Sequence, residues 1–345
     1  MSLLLSPVEL AGLSLENRVV LSPMCMYEVK KEDGIATPFH FVHYGARALS
    51  KVGLLIIEST AVEADGRITK NDLGLWNEAQ QVELSKLVAL LHGFGSKVGL
   101  QLNHAGRKAA DAGYPIAPSA VRFNESYAVP HEMTLAEINR VQESFVAAAK
   151  RAQAAGVDMI ELHGAHGYLI DQFLSPIVNQ RTDEYGGSLA SRYRFVKEIV
   201  QAVRAVFDGS LWMRLSLTDY ETEDKQNSIT EWQQIGQWLE ADGIDCLDIS
   251  TGGLLDRKPT IPVYEGYQTP FATAMKAAVK IPVATVGMLD NPNLCEHILQ
   301  TKQADLILQG RALIRKIHWL ADAATQLHDR SFQPYNDSYG RGIKR

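Results

Sequence analysis

The chain has 345 residues, of which 46% are hydrophobic and 21% charged, enough apolar material for a large core and too much for a disordered protein. A formal net charge of -6 gives no general attraction to nucleic acid or to an anionic membrane, and no stretch stays uncharged long enough to span a bilayer. Neither kind of partner is expected. The N-terminal stretch "MSLLLSPVELAGLSLENR" lacks a basic region before its short apolar run, so a cytoplasmic protein is expected. Cys25, Cys246 and Cys295 are widely separated and odd in number, which opposes a disulfide framework and a zinc or iron–sulfur knuckle.

Taken in chain order, short β-branched runs predict strands at 18–24, 52–60, 97–103, 157–163, 211–217, 244–250, 281–287 and 304–310. Most are apolar on both faces, as in a parallel sheet covered on both sides. Amphipathic segments lie between them at 77–96, 134–156, 188–207 and 230–243, several opening on Ser or Thr and closing near Gly. Thr134 with Glu137 matches a capping box. Eight strand–helix units in this length predict a single-domain (β/α)8 TIM barrel over 1–330, with a tail at 331–345. A doubly wound nucleotide-binding fold would need a G-x-G-x-x-G turn after an early strand, and there is none. Long connections at 25–39, 104–133 and 164–187 suit catalytic loops at the carboxyl ends of barrel strands.

The unusual side chains fall at that same end. Strand one delivers Cys25 and Tyr27; strand two Glu58, Ser59 and Thr60; strand three Gln101, His104, Arg107 and Lys108; strand four His163, His166 and Tyr168. Arg214, Ser250, Thr251, Gly287, Gly310 and Arg311 follow from the later strands. The histidine pair admits three readings. It could be structural; with His104 it could ligate a metal in a barrel hydrolase; or two neutral imidazoles could donate to one oxygen that gains negative charge. Tyr168 could supply a proton beside such an oxygen, or merely cover the barrel mouth. Gly287 and Gly310 at the ends of strands seven and eight, with Arg311 opening a helix, match the phosphate site common in barrels. Gln101 and Arg214 sit inside apolar strands and each needs a partner, for Arg214 either an internal carboxylate such as Glu58 or Glu161, or the edge of a flat polar ligand. Cys25 reads first as a small buried hydrophobe. The turn-rich "RTDEYGGS" at 181–188 reads as architectural.

Together, "LSPMCMY" (21–27), "GLQLNHAGRKA" (99–109), "HGAHGYLIDQFLSPIVNQRTDEYGGS" (163–188), "WMRLS" (212–216) and "LILQGR" (306–311) resemble the old yellow enzyme family of flavin-dependent ene-reductases. "SPMCMY" with "HGAHGY" is similar to its thermophilic-like bacterial subclass. The resemblance implies non-covalent FMN in a (β/α)8 barrel, reduced by NADPH or NADH and reoxidised by an activated alkene. Ser22, Pro23, Met24 and Cys25 would line the flavin, Ser59, Gln101 and Arg214 would contact its ring system, and Gly287, Gly310 and Arg311 would bind its phosphate. His163 and His166 would hold the substrate carbonyl with help from Tyr27, hydride would pass from flavin N5 to the β-carbon, and Tyr168 would protonate the α-carbon. No metal is implied. "SYGRGIKR" (338–345) resembles a subclass tail whose arginine, here Arg341, reaches a neighbouring subunit's site in a homodimer or homotetramer. Two departures stand out: Gly164 replaces a bulkier small residue between the histidines, and Asp171-Gln172 makes that loop more acidic.

Overall fold

Strands that are apolar on both faces must be covered on both, and in this fold helices cover the outer face of a closed ring while the strands' inward side chains fill it. The computed structural model describes residues 2–222, 224–256 and 263–342. Among them, parallel strands β1 (Val19–Leu21), β2 (Leu54–Ala61), β3 (Lys97–Asn103), β4 (Met159–Gly164), β5 (Ser210–Ser216), β6 (Cys246–Ser250), β7 (Val283–Thr285) and β8 (Leu306–Gln309) pair in sequence order. β1 also pairs with β8, so the barrel is closed and has no open edge. A two-residue strand, Leu73–Gly74, adds to β2.

Helices α1 (Pro38–Leu49), α2 (Glu78–Gly93), α3 (Leu135–Ala155), α4 (Leu189–Arg204), α5 (Ile229–Asp242), α6 (Thr269–Lys276), α7 (Pro292–Gln300) and α8 (Trp319–Gln326) surround it. Their ends follow from local chemistry. Asn77, Thr134, Ser188 and Ser228 accept from amides in the first turns of α2 to α5, and Gly156 and Gly243 end α3 and α5 in the left-handed region that glycine enters without strain. The outer layer packs Phe145, Phe195 and Trp232 against the outward faces of the strands.

One end of the barrel is sealed. An antiparallel hairpin, Val8–Leu10 with Leu13–Leu15, lays Leu13 and Leu15 against Val20, Leu54, Met159, Trp212 and Leu306 inside the ring. With the amino end plugged, the carboxyl ends of the strands are left to build a site.

The expected connection at 25–39 overlaps the start of α1, and that at 164–187 contains a short helix, Leu169–Leu174. α1 hides His40, His43, Tyr44 and Arg47 on its inner face, so its polar sequence did not advertise a buried helix. Around 181–188, Arg181 pairs with Asp183 at 2.6 Å and donates to the carbonyls of Pro118 and Met133, tying the loop after β4 to the loop after β3.

Candidate active site

His163 is the penultimate residue of β4 and His166 follows in a turn with φ +58°, a left-handed conformation that aims its ring back at its neighbour. The amide of His166 donates to Ser216 Oγ at 3.0 Å, which holds that turn against β5. His163 Nε2 and His166 Nδ1 then face each other at 3.4 Å, and His166 Nε2 meets Ser250 Oγ at 2.8 Å. Burial holds both imidazoles well below the usual histidine range, reinforced by the positive charges of Arg214 and Lys108. Both rings are therefore neutral near pH 7. Tyr168 stands edge-on to His163, ring centres 4.9 Å apart, packed with Cys25, Ile68, Ala105 and Ala109. Burial pushes its phenol well above the usual range, so it keeps its proton.

Parallel register levels Arg214 on β5 with His163 on β4 and Asp248 on β6. Arg214 Nε lies 3.1 Å from Asp248 Oδ2 and its Nη1 donates to Ser22 Oγ at 3.1 Å. The ion-pair partner is thus Asp248, not the Glu58 or Glu161 expected from sequence. Gln101 Nε2 donates to Glu161 Oε1 at 2.8 Å, and burial together with the charge of Asp248 pushes Glu161 up to about 8.

Beside Arg214 opens a cavity of about 430 Å3, within the roughly 300–1,000 Å3 of small-molecule sites. Ser22, Pro23, Met24, Arg214, Gly287, Gly310 and Arg311 line it with His166, Tyr267 and Gln268. Gly287 has φ +122°, and a Cβ there would lie 2.7 Å from Gln268 Nε2. Arg315 at the rim pairs with Asp290. A hydroxyl, two guanidinium groups and glycine backbone around one cavity form a donor-rich set suited to an anionic ligand that is rich in acceptors.

Cys25, Ser59 and Gln101 do not line that cavity. The Ser59 backbone and Tyr27 side chain hydrogen-bond the Cys25 thiol, which burial pushes up into its protonated form. Glu58 is structural: it accepts from the Met26 amide at 2.9 Å and from Tyr44 at 3.1 Å, and so anchors the loop after β1. Tyr27, exposed and with φ +56°, sits at the tip of that loop. Arg341 is exposed in the turn Asp337–Gly342, and residues 343–345 of the expected tail lie outside the described ones.

His104 does not join the pair. Its Nδ1 accepts from the Gly106 amide and its Nε2 lies 3.6 Å from Glu63, so the three-histidine site lacks its third member. Among the described residues no cluster of three His, Cys, Asp or Glu is arranged to hold a metal ion. Asp171 is buried in that loop: burial and the nearby Asp219 push its carboxyl well up, and it accepts from the Gly167 amide at 2.8 Å. At Gly164 a Cβ would lie 2.9 Å from the Arg214 carbonyl, so the bulkier residue would require β5 to shift.

Sequence reasoning missed Ser216, Asp248 and Gln268. An acid inside the apolar run "CLDIS" was a legible signal for Asp248; a lone amide or hydroxyl offers none. The loops themselves are clamped by two adjacent cations. Arg107 donates to the carbonyls of Val121 and Leu254, and Lys108 to those of His166 and Gly253.

The pattern of the NADH:flavin oxidoreductase / NADH oxidase family matches residues 3–330. The NADPH dehydrogenase of Listeria monocytogenes serotype 4a (strain HCC23) is 47% identical over 327 residues, 95% of this chain and 96% of that enzyme. The NADPH dehydrogenase of Geobacillus sp. (strain WCH70) is 44% identical over 326 residues, 94% and 95% of the two chains. Among solved structures, morphinone reductase superposes with a TM-score of 0.81 at 27% identity, covering 98% of this chain and 92% of that one. A 2-naphthoyl-CoA reductase complex superposes with a TM-score of 0.88 at 24% identity, but this chain spans only 52% of that protein and the likeness concerns the barrel alone. A closed barrel with a donor-lined cavity, matched almost end to end by dehydrogenases of one activity, leaves one assignment: this oxidoreductase belongs to the NADH:flavin oxidoreductase / NADH oxidase family, the old yellow enzyme group that its motifs resemble.

Proposed function

We propose that the protein is an FMN-dependent NAD(P)H:ene oxidoreductase that reduces the activated C=C bond of α,β-unsaturated carbonyl compounds and of related quinones, maleimides or nitro compounds. The observation that carries this reading is the approach of His163 Nε2 and His166 Nδ1 to 3.4 Å, both rings neutral, beside a protonated Tyr168.

Arg214, Ser22, Pro23, Met24, Gly287, Gly310 and Arg311 would hold the cofactor, with Cys25, Ser59 and Gln101 behind its ring system. The donor character of the cavity supports an anionic phosphate-bearing ligand. Bound FMN supplies the hydride chemistry that links NADPH or NADH to the alkene. The remaining work belongs to side chains. The two imidazoles bind the substrate's carbonyl oxygen and stabilise the negative charge that gathers there as the β-carbon is reduced. Being neutral, they add no full charge that would bind the ground state as tightly as the transition state. Tyr168 holds at its phenol oxygen the proton that the α-carbon receives, and Tyr27 helps to hold the substrate carbonyl. In a homodimer or homotetramer, Arg341 would be the residue offered to a neighbouring site.

The test is a visible absorption spectrum of the purified protein, followed by anaerobic NADPH and then cyclohexenone. A yellow protein that bleaches with NADPH and regains its colour with the enone is the expected outcome. A protein that takes up no flavin when incubated with FMN, or that bleaches and stays bleached with every enone, overturns the proposal.

A further inference from the structure

The histidine pair is joined to a hydrogen-bonded chain that crosses from β6 to the start of α6. His166 Nε2 meets Ser250 Oγ at 2.8 Å; Ser250 Oγ donates to Gln268 Oε1 at 3.0 Å; Thr251 Oγ1 donates to the same oxygen at 3.1 Å; and Tyr220 OH donates to Thr251 Oγ1 at 2.5 Å. A hydroxyl has one proton to give. Because Ser250 gives its proton to Gln268, it must accept from His166, whose neutral ring then carries its proton on Nε2. Nδ1 is left as a lone pair facing His163.

His163 is constrained differently. Its Nδ1 is buried and has no hydrogen-bond partner among the described residues, and a bare ring nitrogen is tolerated there more readily than a stranded N–H, so its proton sits on Nε2. In this arrangement His163 donates to His166, and the pair is closed on itself. Two donors can converge on a substrate oxygen only when His166 carries its proton on Nδ1. An amide offers either its oxygen or its NH2 to a hydroxyl. If Gln268 turns its NH2 toward Ser250, the intact serine hydroxyl is free to donate a hydrogen bond to a bare His166 Nε2, and Nδ1 carries the ring proton and becomes the donor. The ring stays neutral: one proton leaves Nε2 and one arrives at Nδ1, both exchanged with water.

We infer that Ser250 and Gln268 are positioning residues that set the tautomer of His166, and that an oxyanion ligand selects the reversed chain. This rests on the oxyanion role proposed above. It assigns work to two side chains that touch the reacting oxygen only through the histidine.

The experiment uses FMN-loaded protein labelled with 15N-histidine, with the proton on each ring nitrogen read by NMR, alone and saturated with p-hydroxybenzaldehyde as the oxyanion probe. In the parent, His166 is expected to carry its proton on Nε2 alone and on Nδ1 with the phenol. In Ser250→Ala the free ring should lose its Nε2 preference and phenol affinity should fall about tenfold, the loss of one hydrogen bond to a charged complex. Ser250→Thr should restore both. If Ser250→Ala folds poorly, Gln268→Met frees the hydroxyl and should likewise abolish the Nε2 preference. A His166 proton that sits on the same nitrogen in parent and variants, free and bound, overturns the inference while leaving the proposed function standing. A parent that binds no phenol defeats the oxyanion reading and this inference with it.

Discussion

Lys108 Nζ lies 5.1 Å from the centre of the Tyr168 ring while it donates to the carbonyl of His166 at 2.9 Å, so one cation touches the proposed proton donor and the backbone of the proposed oxyanion pair together. In the proposed reaction Tyr168 would become a phenolate in a buried site on giving up its proton, and the ammonium would be the charge that offsets it. At an effective dielectric near 20, a unit charge about 5 Å away is worth roughly 3 kcal/mol, an upper bound of about a hundredfold in rate. Burial lowers Lys108 to about 8, so it is mostly cationic at pH 7 and loses its charge as the pH passes that value. Alkene reduction by the parent should therefore fall as pH rises through about 8. Lys108→Met should be at least tenfold slower at pH 7 and lack that limb. Stopped-flow reoxidation of the reduced enzyme by cyclohexenone across pH 6 to 9 reads both; an unchanged pH limb in the variant would assign the titration to another group.

Tyr168→Phe keeps the ring that packs on Cys25, Ile68, Ala105 and Ala109 and removes only the hydroxyl that carries the proton. Removing a positioned general acid costs typically 10²- to 10⁴-fold, so the rate of enone reduction should drop by about that much. Reduction of the variant by NADPH should continue at close to the parent rate. A variant that reduces the alkene normally would move the proton donor to another residue, Tyr27 being the next candidate.

The barrel was legible in the sequence because its strands are buried on both faces, and that leaves an apolar signature with no solvent side to dilute it. The cap residues were equally legible, since Thr134 and Glu137 act within one turn. α1 was partly hidden because its inner face carries His40, Tyr44 and Arg47, which are buried by contacts with β2 and with the Leu313 carbonyl rather than by apolarity. The same distinction holds in the site. His163, His166 and Tyr168 lie within six positions and announce themselves, whereas Asp248, Ser250 and Gln268 gain their roles only when the parallel register brings β5, β6 and the start of α6 side by side. Cys25, Ser59 and Gln101 were read as a single group with the cavity residues; the Cys25 thiol is held by the Tyr27 side chain and the Ser59 backbone, and the Gln101 side chain by Glu161.

Arg214 is the buried cation between Asp248 and Ser22, and its charge partly opposes the rise of the Glu161 carboxyl. Arg214→Met should leave Asp248 uncompensated, at a cost of about 3–5 kcal/mol in folding stability. It should also release flavin on gel filtration. Adding Asp248→Asn removes the stranded charge and should recover much of the melting temperature without recovering flavin. Thermal melts and the ratio of flavin to protein absorbance separate the two effects; if the double variant regains flavin, Arg214 serves the fold rather than the ligand.

Asp219 and Asp171 form a buried acidic pair beside Arg107, with the Asp219 amide held by Gln226 Oε1 at 2.7 Å. Burial raises Asp219 to about 7 against an ordinary value of 3.8, only partly opposed by Arg107. A raised carboxyl pKa means that the folded chain binds more protons than the unfolded chain between those two values. The stabilisation is then fully present below about pH 4 and is lost as the pH rises toward and through 7. Asp219→Asn keeps the shape and cannot ionise. Its melting temperature should fall less steeply than the parent's between pH 5 and 8, so that the difference between the two moves in the variant's favour as pH rises. Parallel melting curves over that interval, with a constant offset, would show that Asp219 ionises in the folded chain as it does in the unfolded one, and that Arg107 outweighs its burial.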